Sequence, residues 1–468
     1  MNPELRRNIW LEINPNRLMV TPIVLTLIGM LFYSMQYSMS YPIDWQFLFA
    51  TSALVIFFVA TVIWGSIQAY EGIVSEVREN TWDVQKMSSL TAWQMVIGKL
   101  LGSTIFNWYI GAFCLGIFLF LFKIKYLSVF NIFFAYPYHS DSSDLFQTWN
   151  YLRAGLLVIF IALFAQANSF LYGLLAAHTG KMTSTTRNLF MMWIFALIIL
   201  RSVLMDLFHP YTDLIWWGYE WDQHNFILAS LVVFTGWVWF GAYRLMSTIL
   251  QIRLVPWAGL SFVIFMSIYV IGFYDFTNSA IPTLPSGVLE IILFQSIGLV
   301  WVYITAWHER RDWIMLRRFF YSWRYESWRT AWMATPNWLP VAFWVFIGNL
   351  ITIPLIMLYS EINIQTNLRL VFPLIMSLLM FRDIGLLYFF SLGKQPQKAA
   401  SRTILLLIML YGILPLLFQY TYMGALFFPA AIPKQWFWLG PIIALVHVGI
   451  VFELLRNRMK NISSSISK

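Results

Sequence analysis

Apolar runs of about twenty residues recur along this chain, each bordered by charge, proline or glycine, and they limit its fold more than any other feature. A backbone in lipid must satisfy its own polar groups, and a helix of about 20 apolar residues crosses about 30 Å of hydrocarbon, so the runs are expected to be membrane-spanning helices. The alternating pattern of barrel strands, about ten residues each, is not seen. Composition agrees: of 468 residues, 60% are hydrophobic and 11% charged, against about 25% charged in an average soluble domain. The expected class is all-α, a polytopic membrane protein.

The runs give about twelve spans, six in each half. They fall near 18–36, 47–70, 94–122, 151–177, 187–206 and 225–246, and then near 256–274, 286–306, 338–359, 368–391, 402–424 and 436–455. On this count 1–17 is an amphipathic cytosolic lead, 18–246 and 247–456 are the two halves, and 457–468 is a cytosolic tail. The lead is charged throughout and lacks the pattern of a cleavable signal, while Leu5, Ile9 and Ile13 recur at helical spacing and suggest a helix on the membrane surface. The net charge of +9 is unevenly placed. Arg6, Arg7, Arg17, Arg78, Lys86, Lys181, Arg187, Arg244, Arg253 and most bases of the second half share one side, whereas the opposite loops hold Lys123, Lys125 and Lys434, with Arg153 and Arg369 at span ends. The positive-inside rule then puts both termini in the cytoplasm, as in a multi-pass protein of a bacterial inner membrane, and accounts for the basic charge without nucleic acid.

The halves echo one another. "NYLRAGLLVIF" from Asn150 aligns with "TNLRLVFPLIM" from Thr366, bringing Arg153 onto Arg369 and Tyr172 onto Tyr388 at a shift of roughly 216 positions. "TWDVQKMSSLTAW" from Thr81 likewise resembles "SWRTAWMATPNW" from Ser327, with Trp82 on Trp328 and Met87 on Met333. An even number of spans per half makes the repeats parallel, with both of these charged connections facing the cytoplasm.

The first connection is dense in chemistry. As one helix, Val74 to Ser88 would array Glu76, Glu79, Asp83 and Lys86 on one face and Val77, Thr81, Val84 and Ser88 on another. "SEVRENTWDVQKMSSLTAWQMVIGKLLGS" resembles the segment joining the second and third spans of type-2 ABC transporter permeases, with Glu76, Arg78, Glu79, Thr81, Asp83, Ser88, Ser89, Gly98 and Lys99 at matching positions. Asn80 stands where that pattern usually has glycine, and the proline usual near Ser89 is absent. The resemblance implies a coupling helix that docks on a separate ATPase subunit, and a chain that fuses two six-span permeases into one. It makes Glu76, Arg78, Glu79, Thr81, Trp82, Asp83 and Lys86 the ATPase-coupling residues of the first half, and Glu309, Arg310, Arg311, Asp312 and Trp328 those of the second. The connections differ in charge: carboxylates prevail over 71–93, whereas arginines prevail over 307–337, so they suit different partner surfaces or anionic lipid.

No phosphate loop is encoded, since Leu175 stands where Gly180-Lys181 would need an upstream glycine, and Met182 follows. ATP hydrolysis is accordingly expected on the partner ABC ATPases, two copies or a heterodimer, with Mg-ATP bound there and no cofactor in this chain. The chain itself is expected not to be an enzyme. Arg382 and Asp383 fall mid-span, where charge must face protein or a water-filled cavity, and form a candidate intramembrane polar site, catalytic or metal roles not being assigned. Adjacent residues point about 100° apart on a helix and need not pair; Gln166 or Asn168 offer alternative partners. Asp206, His209, Asp213, Glu220, Asp222 and His224 cluster in an outer connection but match no zinc or hydrolase spacing. Cys114 sits alone in an apolar run and reads as core. The expected function is the permease subunit of an exporter moving an amphipathic or hydrophobic substrate, such as lipid, peptide or drug, through the membrane by alternating access. The alternatives are a secondary transporter with six-plus-six repeats and a membrane-embedded lipid-modifying transferase.

Overall fold

The computed structural model describes residues 2–37, 45–125, 144–179, 214–252, 254–273, 288–309, 311–358, 364–418, 423–429, 436 and 438–466. The chain divides into two compact units, Met1–Leu214 with Glu220–Leu254, and Ile215–Tyr219 with Val255–Lys468. Among the described residues seven helices are long and apolar enough to cross a membrane: Ser52–Arg78, Ala92–Phe120, Gly155–His178, Asn225–Ile249, Val371–Ser391, Pro396–Leu417 and Leu439–Ser463. Pro15–Leu31, Trp257–Ile271 and Trp338–Leu350 are shorter apolar helices. The expected span at 187–206 lies outside the described residues.

The first unit contains α1 (Pro3–Glu12), α2 (Pro15–Tyr37), α3 (Trp45–Phe57) running through a π-helical segment (Phe58–Trp64) into α4 (Gly65–Arg78), then α5 (Trp82–Lys86), α6 (Ala92–Lys125), α7 (Asp144–Thr179) and α8 (Gln223–Ile249). A π turn shifts the backbone ladder by one residue and leaves carbonyls short of partners, which lipid cannot supply. Here Asn107 Nδ2 of α6 donates to Ala60 O at 2.8 Å, and Gln166 Nε2 of α7 donates to Thr61 O at 2.8 Å, while Trp108 Nε1 holds Gln166 Oε1 at 2.9 Å. Gln166 is thus engaged at both ends, whereas Asn107 is held through Nδ2 alone and its Oδ1 is buried without a hydrogen-bond partner among the described residues. A Cβ at Gly65 would come within 2.5 Å of Gln166 Nε2, so the glycine admits the clamp.

The amino-terminal lead is a helix, as its spacing suggests, but its deepest face is polar. Glu4 and Asn8, one turn apart, sit over Gly98 and Gly102 of α6, where added Cβ atoms would meet their side chains at 2.6 and 2.5 Å. Asn8 Nδ2 donates to Gly98 O at 3.0 Å and Asn2 Nδ2 to Gln94 O at 2.6 Å. Leu5 and Ile9 are only half-buried. Two glycines allow the close approach, and the short polar side chains then reach the α6 backbone.

The second unit contains α9 (Trp257–Ile271), α10 (Val288–His308), α11 (Trp313–Tyr325), α12 (Trp328–Met333), α13 (Trp338–Leu358) and α14 (Ile364–Ser391). A 3-10 turn (Pro396–Lys398) then leads into α15 (Ala399–Ile408), a second π segment (Met409–Ile413) and α16 (Leu414–Leu417), followed by α17 (Gly424–Phe427) and α18 (Leu439–Ile466). Its core joins Val263 of α9, Val302 and Ala306 of α10, Val341 and Val345 of α13, and Met380, Ile384 and Tyr388 of α14.

Among the described residues one small element departs from the all-α pattern: β1 (Leu214–Trp216) and β2 (Tyr219–Trp221) pair across Trp217-Gly218, both at positive φ. Two such residues make the mirror-image turn whose twist suits a hairpin. The tip belongs to the second unit, where Trp217 N–H donates to Gly272 O at 2.8 Å and Trp216 Nε1 to Tyr269 O at 3.0 Å.

Candidate functional site

The first connection is not the single helix expected over Val74 to Ser88. α4 ends at Arg78, because Asn80 adopts the left-handed conformation (φ +59°). Thr81 N–H then returns to Glu76 O at 3.0 Å and Asn80 N–H to Val77 O at 3.2 Å, the paired bonds of a Schellman cap. Asparagine is the side-chain-bearing residue that best tolerates this position, which explains how it replaces the usual glycine. The chain turns and restarts as α5, so the residues expected on one face part company.

Glu76 and Trp82 turn inward. Lys99 of α6, 1% exposed, contacts Glu76 Oε2 and lies 3.2 Å from Glu4 Oε1 of α1. Arg7 bridges both carboxylates, at 2.9 Å from Glu4 and 3.1 Å from Glu76. Gln85 Nε2 of α5 donates to Glu76 Oε1 at 2.6 Å, and Trp82, 5% exposed, lies under the Lys99 ammonium with Nζ 5.4 Å from its ring centre. One buried and one half-buried carboxylate therefore meet two cations, and a single knot joins α1, α4, α5 and α6. Arg78, Glu79, Thr81 and Asp83 turn outward, with Val84 and Met87 at 67% and 81% exposure. Lys86 pairs with Asp83 at 2.5 Å on this rim. The outer surface of α5 is thus a small apolar tip edged by charges of both signs, on a base tied to three other helices.

The second connection is longer and built otherwise. Arg311 donates to Ala306 O and Trp307 O at 3.0 and 3.2 Å, capping α10, and burial lowers its pKa. Asp312 accepts from Met315 N–H at 2.8 Å as the N-cap of α11. Glu309 Oε1 accepts from the backbone and side chain of Asn337, at 3.0 and 3.2 Å, tying the end of α10 to the start of α13. Its Oε2 is buried without a hydrogen-bond partner among the described residues. Burial raises the Glu309 pKa to about 7, against the lowering effect of Asn337 and Arg311. Trp328, matched to Trp82 in sequence, is 70% exposed, while its neighbour Trp332 stacks on Trp257 of α9 with ring centres 5.3 Å apart. Arg310 lies outside the described residues. Of the residues expected to couple here, Arg311, Asp312 and Glu309 thus hold helix ends, and Trp328 faces outward.

Arg382 and Asp383 are both buried, and they do pair: Arg382 Nε donates to Asp383 Oδ1 at 2.8 Å. The long guanidinium stem curls back across the angle that separates adjacent helix positions. Asp383 Oδ2 accepts from Tyr303 of α10 at 2.8 Å and from Tyr411 of the π segment at 2.7 Å. Arg382 also stands 4.8 Å from the Tyr411 ring centre and 3.3 Å from His447 Nδ1 of α18. Gln166 and Asn168, the partners weighed from sequence, are engaged elsewhere, on Thr61 and Phe164. Tyr303, Tyr411 and His447 were missed because their distance in sequence from Asp383 hides them. The only local signal was their polarity within apolar runs.

Of the outer cluster, Asp206, His209 and Asp213 lie outside the described residues, as does the side chain of His224. Glu220 is exposed, and Asp222 caps α8 through Asn225 N–H at 2.9 Å while binding buried Arg153 at 2.8 Å. Among the described residues no group of three metal-ligating side chains comes together. Seven apolar helices of spanning length make the chain an α-helical membrane protein. No protein-family model, curated protein or solved structure matches it.

Proposed function

We propose that the chain is the permease subunit of an ATP-driven exporter of the type-2 ABC class, made of two parallel six-span halves in a bacterial cytoplasmic membrane with both termini in the cytoplasm. It moves an amphipathic or hydrophobic substrate by alternating access, and separate ATPase subunits bind and hydrolyse Mg-ATP. The observation that carries this reading is the mounting of α5: its inner side is knotted through Glu76, Trp82, Gln85 and Lys99 to the neighbouring helices, while Glu79, Asp83, Val84 and Met87 face outward. A helix so held passes a push from a partner into the spans. Glu79, Thr81, Asp83 and Lys86 then form the contact surface, and Glu76 and Trp82 form its anchor.

The duplication draws support from the order of elements. In the first unit α3 and α4, a short α5, α6, α7 and α8 follow one another; in the second, α10, a short α12, α13, α14 and α18 keep that order, with α15, the π segment and α16 before α18. Affinity purification from native membranes tests the reading. A nucleotide-binding partner is expected to co-purify and to be lost on combining Glu79→Arg with Asp83→Arg; a chain that purifies alone and transports on a proton gradient would sink it. The second outcome has its own basis in the buried Asp383 with Tyr303, Tyr411 and His447, and would make the chain a secondary transporter.

A further inference from the structure

α11, Trp313–Tyr325, has no counterpart in the first connection, and the coupling reading leaves its outer surface unused. Its inner side is short: Leu316 and Ser322 are buried, with Met315 and Phe319 half-buried beside them. At about 100° per residue, Ile314, Tyr321 and Tyr325 fall on one outward strip, and all three are exposed. The rings of Tyr321 and Tyr325 lie 5.1 Å apart along it. Arg317 and Arg324 flank this strip on one side and Arg318 on the other, all exposed, and Arg324 reaches over the Tyr325 ring at 5.5 Å. No acidic residue occurs between Trp313 and Tyr325. The helix begins five residues after His308, the last residue of apolar α10, hence within about 18 Å of the end of that helix.

We propose that α11 is an interfacial anchor that binds anionic phospholipid: its Ile314–Tyr321–Tyr325 strip enters the headgroup layer, and Arg317, Arg318 and Arg324 engage lipid phosphates on either side. Aromatic and aliphatic side chains between arginines are the arrangement by which a helix lies in that layer. Each arginine at an anionic surface adds attraction that zwitterionic lipid does not provide. The exposed rim of α5 sets Glu79 and Asp83 beside Arg78 and Lys86, whereas α11 carries arginines alone, so a partner surface complementary to the one does not suit the other.

The full chain with Cys114→Ala, carrying a nitroxide on Ile314→Cys or Tyr321→Cys, is reconstituted into bilayers of phosphatidylcholine alone or mixed with phosphatidylglycerol. Depth is read from relative collision rates with oxygen and a water-soluble nickel complex. Expected is a several-fold drop in nickel accessibility when phosphatidylglycerol is present, reversed by high salt or by Arg317→Gln, Arg318→Gln and Arg324→Gln together. A label on Val84→Cys of α5 stays in water throughout. Labels in water in both bilayers overturn the proposal, including the case where protection appears only in native membranes, which assigns the surface to a protein partner. Equal depth in both lipids, indifferent to salt, also overturns it, because insertion would then be apolar alone. Salt acts on the unaltered arginines, so the result does not depend on how the triple variant folds.

Discussion

The two charged connections begin from aligned sequence and end as opposite constructions. In the first, the tryptophan at position 82 is buried over Lys99 and a turn of mixed charge is left outside; in the second, Trp328 is outside, and Trp332 next to it takes the packed place against Trp257. The anchors differ in kind as well. Glu76 is neutralised by a buried lysine and an arginine brought by α1, whereas Glu309 holds Asn337 and leaves one oxygen unpaired. The first connection is an ionic mount for a short helix; the second is a longer arm whose described arginines cap a helix or face outward. Aligned residues alone therefore do not transfer a role from one half to the other.

The largest expected break in this comparison is at Lys99. Lys99→Ala leaves Glu4 and Glu76 facing one another with Arg7 alone between them, and removing one side of a buried charge group costs about 3–5 kcal/mol. Thermal unfolding of the detergent-purified chain should register it, whereas Arg317→Ala in the second connection should leave the midpoint almost unchanged. The tryptophans sharpen the contrast. Trp82→Ala opens a cavity under α5 and is expected to cost about 3–5 kcal/mol, while Trp328→Ala, on an exposed side chain, should stay within about 0.5 kcal/mol. Equal losses would mean that the two positions are equivalent after all. At the α4 cap, Asn80→Val forces a branched residue into the left-handed region at about 1–2 kcal/mol, and Asn80→Gly should be tolerated.

A further contrast concerns pH. The Glu309 pKa is raised to about 7 by burial, so the folded chain holds this proton where an unfolded one has released it. The resulting stability is present below about pH 4.5 and is lost as pH rises through about 7. Between pH 5 and 8 the thermal midpoint should fall by about 2–4 °C more in the unaltered chain than in Glu309→Gln. An identical slope in both would remove Glu309 from the account of the second connection.

The apolar runs announce helices because hydrocarbon leaves the backbone little alternative, and helices indeed fall on them wherever residues are described. What escaped depends on where side chains meet. The π segment at Phe58–Trp64 is held by Asn107 and Gln166 from distant helices, and nothing within Phe58–Trp64 marks it. The inward turn of Glu4 and Asn8 follows from Gly98 and Gly102, some ninety residues on in α6. The break at Asn80 was readable, since asparagine favours the left-handed cap, but its place in an acidic run with helical spacing concealed it. The hairpin was marked in sequence by Gly218 alone, since Leu214, Ile215 and Trp216 are all apolar and do not alternate. Trp82 and Trp328 could not be told apart in sequence, because their fates rest on Lys99 and on the Trp332–Trp257 stack.

α5, through its exposed tip, is proposed to be where an ATPase subunit docks. In native membranes, a photo-crosslinker attached to Met87→Cys in the Cys114→Ala chain tests this most directly, with Trp328→Cys as its counterpart. Met87→Cys is expected to capture a nucleotide-binding subunit, with a yield that changes on adding Mg-ATP. Capture of lipid alone, or of the ATPase at Trp328→Cys but never at Met87→Cys, would contradict it.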